Sequence, residues 1–265
     1  MDHHHCLNCN NELNEGQLYC SNCGQKVATH RLSAHEVGHD LVHYFTHADA
    51  GIFKLIKVLF TRPGIVAREY VEGKRQKYFK PLNFFLIVAG LLVFVTASFY
   101  KHGQNKRVIS MKQYAQTIQD PVKKQSMLNM AERMEKVSVI TGKHSNIINM
   151  MATPLIAFIF WLFYYRSKYN YIEHLLANMY FVGFIMIFYS LLFFPLQQLL
   201  PKLSMVWLSL FFLLELIYRA NAYSHFINDR STKGLLKAYL VSLFMSITWF
   251  AATTGIIMWY IRSAG

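Results

Sequence analysis

Behind a polar front, long apolar runs recur along the chain. Leu82–Tyr100 reads LNFFLIVAGLLVFVTASFY without a charge. Ile147–Tyr165 is a second run with Pro154 inside it, and Leu175–Leu196 is a third. Leu203–Tyr218 is a shorter fourth, interrupted by Glu215, and Leu235–Ile261 is the fifth, with Lys237 near its start. A membrane-crossing helix needs about 20 mostly apolar residues, and proline inside one is tolerated where neighbours satisfy the freed carbonyl. Tyr100, Tyr164, Tyr165, Tyr218, Trp259 and Tyr260 sit at the ends of these runs, as an interfacial aromatic belt requires. The pattern predicts an all-α integral membrane protein of about five transmembrane helices, near 82–100, 147–165, 175–196, 203–218 and 235–261.

The connections are polar. Residues 101–146 read as a loop holding a short amphipathic helix, Ser126–Val137, after a break at Pro121. Its stripe Met127, Met130 and Met134 is read as packing rather than a copper site. Ile52–Phe60 (IFKLIKVLF) is too short to span and reads as an in-plane interfacial helix with snorkelling Lys54 and Lys57. Tyr223–Asp229 (YSHFIND) reads as a polar connection.

Composition sharpens this picture. Charged residues are only 15% of the chain and hydrophobic ones 54%, where a soluble domain carries about a quarter charged residues. The formal charge of +13 is a possible nucleic-acid signature. The basic residues crowd beside apolar runs, however, which points to lipid headgroups and away from nucleic acid. Lys74, Arg75, Lys77 and Lys80 run into the first span as a candidate anionic-lipid contact. More than half of the 27 lysines and arginines fall on the N-terminal side of the predicted topology, so the positive-inside rule places the N-terminus in the cytoplasm. The polar first 30 residues read as no cleavable signal peptide. The expected location is a bacterial inner membrane, crossed several times.

All four cysteines lie in the front segment, as Cys6-Leu-Asn-Cys9 and, ten residues on, Cys20-Ser-Asn-Cys23-Gly24. Two such knuckles present four thiolates to one zinc ion, and four cysteines close the coordination sphere, so the zinc is structural. A disulfide pairing requires an oxidising compartment and does not explain the paired spacing. The expected domains are a zinc ribbon at 1–28, His-rich and basic juxtamembrane helices at 29–81, and a transmembrane domain at 82–265.

Two further constellations are candidates. His35, His39, His43 and His47 recur every four residues and form one stripe on a helix; His35-Glu36-Val37-Gly38-His39 also fits the H-E-x-x-H of zinc hydrolases. Gly38 weakens that helix, and the preferred reading is a polar amphipathic helix, with a second metal site as the alternative. His3–His5 alone are a weak metal signal. Glu215, within a span, pairs with Arg219 one turn on, or forms with His174 and Asn178 an intramembrane polar site.

The ribbon, H-x3-H-x-D-x-G in His43–Gly51, and R-P-G-x3-R-E-Y-x2-G-K-R-x2-Y-x2-P in Arg62–Pro81 resemble a bacterial membrane family, domain of unknown function 3667. Tyr171-Ile-Glu173-His174-Leu175 is similar to a later motif of that family. The resemblance implies several membrane helices behind a zinc ribbon and supplies no activity. The sequence therefore leans away from an enzyme. Its expected partners are the bilayer, a cytoplasmic protein docked on the ribbon, and a second copy of the chain. A membrane metallohydrolase using the His35–His47 stripe, or an oligomeric small-solute transporter using Glu215 and His174, are the alternatives.

Overall fold

A computed structural model describes residues 5–27, 51–99 and 106–263. The His35–His47 stripe, including the H-E-x-x-H match, lies outside the described residues. Among the described residues every element is helical, apart from two isolated bridges in the ribbon. The helices are α1 (Gly51–Thr61), α2 (Pro63–Val71), α3 (Pro81–Phe99), α4 (Lys106–Thr117), α5 (Pro121–Phe163), α6 (Tyr171–Phe188), α7 (Phe194–Leu199), α8 (Ser204–Ile227) and α9 (Thr232–Arg262).

Three stretches are long and apolar enough to cross a membrane: Tyr171–Gln197, Pro201–Ile227 and Thr232–Arg262. Two shorter apolar ones, Pro81–Val95 and Met150–Phe163, lie in α3 and α5. These five occupy the five expected positions. The first long stretch is the centre of the bundle, with 50% of its apolar window buried, against 11% and 17% for the other two. The outward sides of α8 and α9 show Met205, Val206, Phe250 and Trp259, apolar groups that water would penalise and acyl chains would not.

Close packing around α6 follows from small residues. A Cβ on Gly183 would stand 2.8 Å from the Phe84 ring, so glycine there lets α3 approach. A π-turn at Tyr189–Phe193 joins α6 to α7. It precedes Pro195, whose missing N–H and ring clash break a regular α ladder. At the other end, the Asn170 side chain accepts from Glu173 N–H (2.9 Å) and Glu173 accepts from Asn170 N–H (2.7 Å). This capping box satisfies two donors at the start of α6.

Several sequence expectations are revised. The polar segment before the second span is not a loop with a short helix. From Asp120, which caps through its carboxylate, α5 runs 43 residues without a break. At 1.5 Å per residue that is about 65 Å, twice a hydrocarbon core of about 30 Å, so its polar half must project beyond the apolar layer. Pro121 starts this helix rather than breaking it, because proline fits the first turn. The projecting half pairs with α4 through Lys112 and Glu135 (2.7 Å). Arg133 ties it to the end of α9, donating to the Tyr260 carbonyl and Ser263 Oγ, each at 2.7 Å.

Nor is Tyr223–Asp229 a connection. It is mostly the last turn of α8, and Tyr223 and Phe226 are fully buried there. Helix α1 is as expected in extent, but it packs along α6: Leu55 and Leu59 are buried, and Phe60 stacks on Phe188 (6.2 Å, 4°).

Candidate metal centre, juxtamembrane collar and buried charge pair

The two cysteine knuckles are copies of one backbone shape, offset by 14 residues. Cys6 N–H donates to Asn11 C=O and Cys20 N–H to Gln25 C=O, both at 2.8 Å. Asn10 N–H returns to Cys6 C=O (2.8 Å), and Gly24 N–H to Cys20 C=O (2.9 Å). The residue after each knuckle, Asn10 or Gly24, is left-handed, with φ of 61° and 69°. Glycine and asparagine are the residues that accept this conformation most readily.

The turns bring all four sulfurs within 4.8 Å of one another. Cys6 Sγ lies 3.6 Å from Cys23 Sγ, and Cys9 Sγ lies 3.7 Å from Cys20 Sγ. A disulfide bond is about 2.05 Å. Thiolates bound at about 2.3 Å in a tetrahedron stand about 3.8 Å apart. The four cysteines thus fit a single metal ion. The free thiols are unequal: burial pushes Cys6 up to about 11, whereas the Asn11 backbone amide, above all, holds Cys9 down to about 6. Amides aimed at sulfur favour the thiolate a metal needs.

A buried side chain of the ribbon contacts the helical domain. Gln25, which is 4% exposed, accepts at Oε1 from the Gln76 backbone N–H (3.1 Å). Gln76 belongs to the loop between α2 and α3, and that loop forms a collar with the Tyr164–Asn170 and Asn228–Ser231 connections. Glu69 is its hub, accepting from Lys74 (3.0 Å), Lys77 (2.6 Å) and Tyr78 OH (2.5 Å). Glu72 accepts from Lys168 (2.6 Å) and Tyr169 OH (2.9 Å). Arg68 donates to the side chain of Asn228, whose left-handed φ of 62° ends α8. Partial burial alone would raise the Glu69 carboxyl, but the Lys77, Tyr78 and Lys74 hydrogen bonds outweigh it and hold it at about 2.

The collar explains the long motif residue by residue. Pro63 opens α2, and a Cβ on Gly64 would fall on the Ala222 carbonyl and 2.6 Å from Phe226 N. Tyr70 meets Tyr180 edge-on at 5.8 Å. Gly73 turns the chain at φ 114°, and Tyr180 OH donates to the Phe79 carbonyl (2.6 Å). Of the four basic residues in the candidate lipid contact, Lys74 and Lys77 are ion-paired with Glu69; Arg75 and Lys80 stand in the same loop. Sequence reasoning passed over Glu69, Glu72 and Gln25, although the alternation of acids and bases in R-E-Y-x2-G-K-R was a signal for the first.

Glu215 and His174 make different contacts. Glu215 ion-pairs with Arg219 one turn later on α8. His174 is fully buried between Tyr223 and Phe226, with ring centroids at 6.0 and 5.4 Å. Asn178 donates to the His174 carbonyl (2.9 Å) and to Tyr223 OH. The Glu173-His174 pair of the later motif therefore caps α6 and packs its first turn.

No curated protein and no solved structure matches the chain. Residues 49–93 match the family described as Protein of unknown function (DUF3667), and the match contains the whole Arg62–Pro81 motif that builds the collar.

Proposed function

We propose that the chain is a non-enzymatic scaffold of the bacterial inner membrane, whose N-terminal zinc ribbon faces the cytoplasm and docks a protein partner. The observation that carries this reading is the close cluster of four sulfurs in a module seated on the collar through Gln25 and Gln76. Zinc is the ion for such a set, since it favours four thiolates in a closed sphere, where it folds a module rather than doing chemistry. Leu18 and Tyr19 support a docking role: they are 73% and 58% exposed on the loop between the knuckles, and exposed apolar groups on a small polar module favour a protein partner. The basic collar supports the cytoplasmic orientation and contact with anionic lipid.

Metal per chain, measured by elemental analysis on detergent-purified protein without added tags, tests the reading. One zinc in the wild type and none in a variant with all four cysteines changed to serine is expected. About one metal retained by that variant would make the His35–His47 stripe a second metal site and favour the hydrolase.

A further inference from the structure

Helix α1 has two unlike sides. Leu55 and Leu59 are buried, and Ile52, Ile56 and Val58 pack against the core. Phe53 and Phe60 are 76% and 65% exposed, and Lys54 and Lys57 are exposed beside them. At about 100° of turn per residue, Phe53, Lys57 and Phe60 fall in one outward stripe, with Lys54 at its edge.

Two tyrosines hold this helix level. A Cβ on Gly51, the first residue of α1, would meet the Phe79 ring at 4.0 Å, and the Phe79 carbonyl accepts from Tyr180 OH (2.6 Å). Near the other end, the Leu59 carbonyl accepts from Tyr218 OH (3.3 Å). Tyr180 lies nine residues into α6, and Tyr218 lies nine residues before the end of α8. Each is about 14 Å from the collar end of its helix. Both ends of α1 therefore hang at one depth, and the helix lies in the plane of the apolar layer. That depth is the edge of the layer. On α6 the polar Glu173, His174 and Asn178 precede Tyr180, and on α8 Arg219 follows Tyr218. Tyrosine favours this boundary.

The charge of the outward stripe is unmet. Among the described residues neither Lys54 nor Lys57 has an ion-pair partner, whereas Lys74 and Lys77 are ion-paired with Glu69. Ammonium groups at the edge of an apolar layer attract an anionic headgroup, and their flexible stems reach up to it. The two phenyl rings would be penalised by water and are received by acyl chains. A soluble anion would meet the lysines and leave the rings bare.

We infer that the outward face of α1 binds an anionic diacyl phospholipid, with Lys54 and Lys57 on its headgroup phosphate and Phe53 and Phe60 among its chains. The inference deepens the proposed anionic-lipid contact and shifts it from the Lys74–Lys80 loop to α1. It rests on the membrane reading and needs neither zinc nor a partner on the ribbon.

The full chain in detergent is titrated with dioleoylphosphatidylglycerol and, separately, with dioleoylphosphatidylcholine, and bound lipid per chain is counted by native mass spectrometry. Lys54→Gln with Lys57→Gln removes the charges, and Phe53→Ser removes one ring. Lys123→Gln with Lys124→Gln removes the same charge on the α4–α5 projection and serves as control. The wild type should prefer phosphatidylglycerol. At about five-fold per basic residue, the α1 double variant should bind it about twenty-five-fold more weakly, and the control should match wild type. Phe53→Ser should weaken binding of the same lipid about ten-fold. Without lipid, all the variants should keep the wild-type unfolding midpoint, because these side chains face outward. Equal binding of the two lipids, unchanged binding by either α1 variant, an equal loss in the control, or displacement of the lipid by an equal concentration of inorganic phosphate would overturn the inference. A chain recovered in the soluble fraction without detergent would instead overturn the membrane reading, and the inference with it.

Discussion

Glu69 shows how much one carboxylate organises. It gathers two lysines and a tyrosine from the loop that follows it, and so turns a repulsive basic run into a folded collar. Its carboxyl titrates at about 2 instead of the ordinary 4.5. A depressed carboxyl stabilises the fold above its unfolded value and loses that contribution as pH falls through the folded one. At face value the shift is worth about 3 kcal/mol. Lys74 and Lys77 are 39% and 41% exposed, and solvent screening reduces the figure to about 1–2 kcal/mol. Glu69→Gln should therefore lower the thermal midpoint in detergent at pH 7. Its gap to wild type should close as pH is taken from about 4.5 towards 2; a gap independent of pH would refute the ionic role. The acid was visible in the motif, but its partners were not, because Lys77 and Tyr78 reach it only after Gly73 reverses the chain.

Among the elements, the contact of α2 with the end of α8 depends on the absence of a side chain. At Gly64 any Cβ meets backbone rather than a flexible tip, which cannot move aside. Gly64→Ala should cost about 1–3 kcal/mol, as overpacking does, and release Arg68 from Asn228. Loss of the wild-type midpoint, with metal content unchanged, is the expected readout; an unchanged midpoint would show that α2 is not locked. Helix existence was legible wherever an apolar run was long, since backbone groups in an apolar layer must pair within the helix. Helix extent was not. The Tyr223–Asp229 stretch looks polar in sequence, yet Tyr223 and Phe226 are buried by α2 and α6, and α5 continues through polar residues because α4 and α9 support it.

For the whole molecule, contacts place the α2–α3 loop, Tyr164–Asn170 and Asn228–Ser231 at one end, and the α4–α5 projection with the end of α9 at the other. With the basic collar in the cytoplasm, green fluorescent protein fused after Arg230 should fluoresce, and alkaline phosphatase fused after Lys202 should be active. The opposite pattern would invert the proposed orientation and remove the ribbon from the cytoplasm.

The sequence by itself determined the all-helical class, the positions of the five apolar stretches and the four-cysteine cluster. Each is written in local spacing: run length for a helix that crosses an apolar layer, and two Cys-x-x-Cys pairs for a tetrahedral site. Only the tertiary structure decided that the ribbon rests on Gln76, that Glu69 and Glu72 hold the basic collar, that His174 packs on Tyr223 and Phe226, and that Glu215 and Arg219 pair in the wall of a cavity. Those facts depend on which residues distant in the chain become neighbours, and helical packing, not spacing along the sequence, sets that.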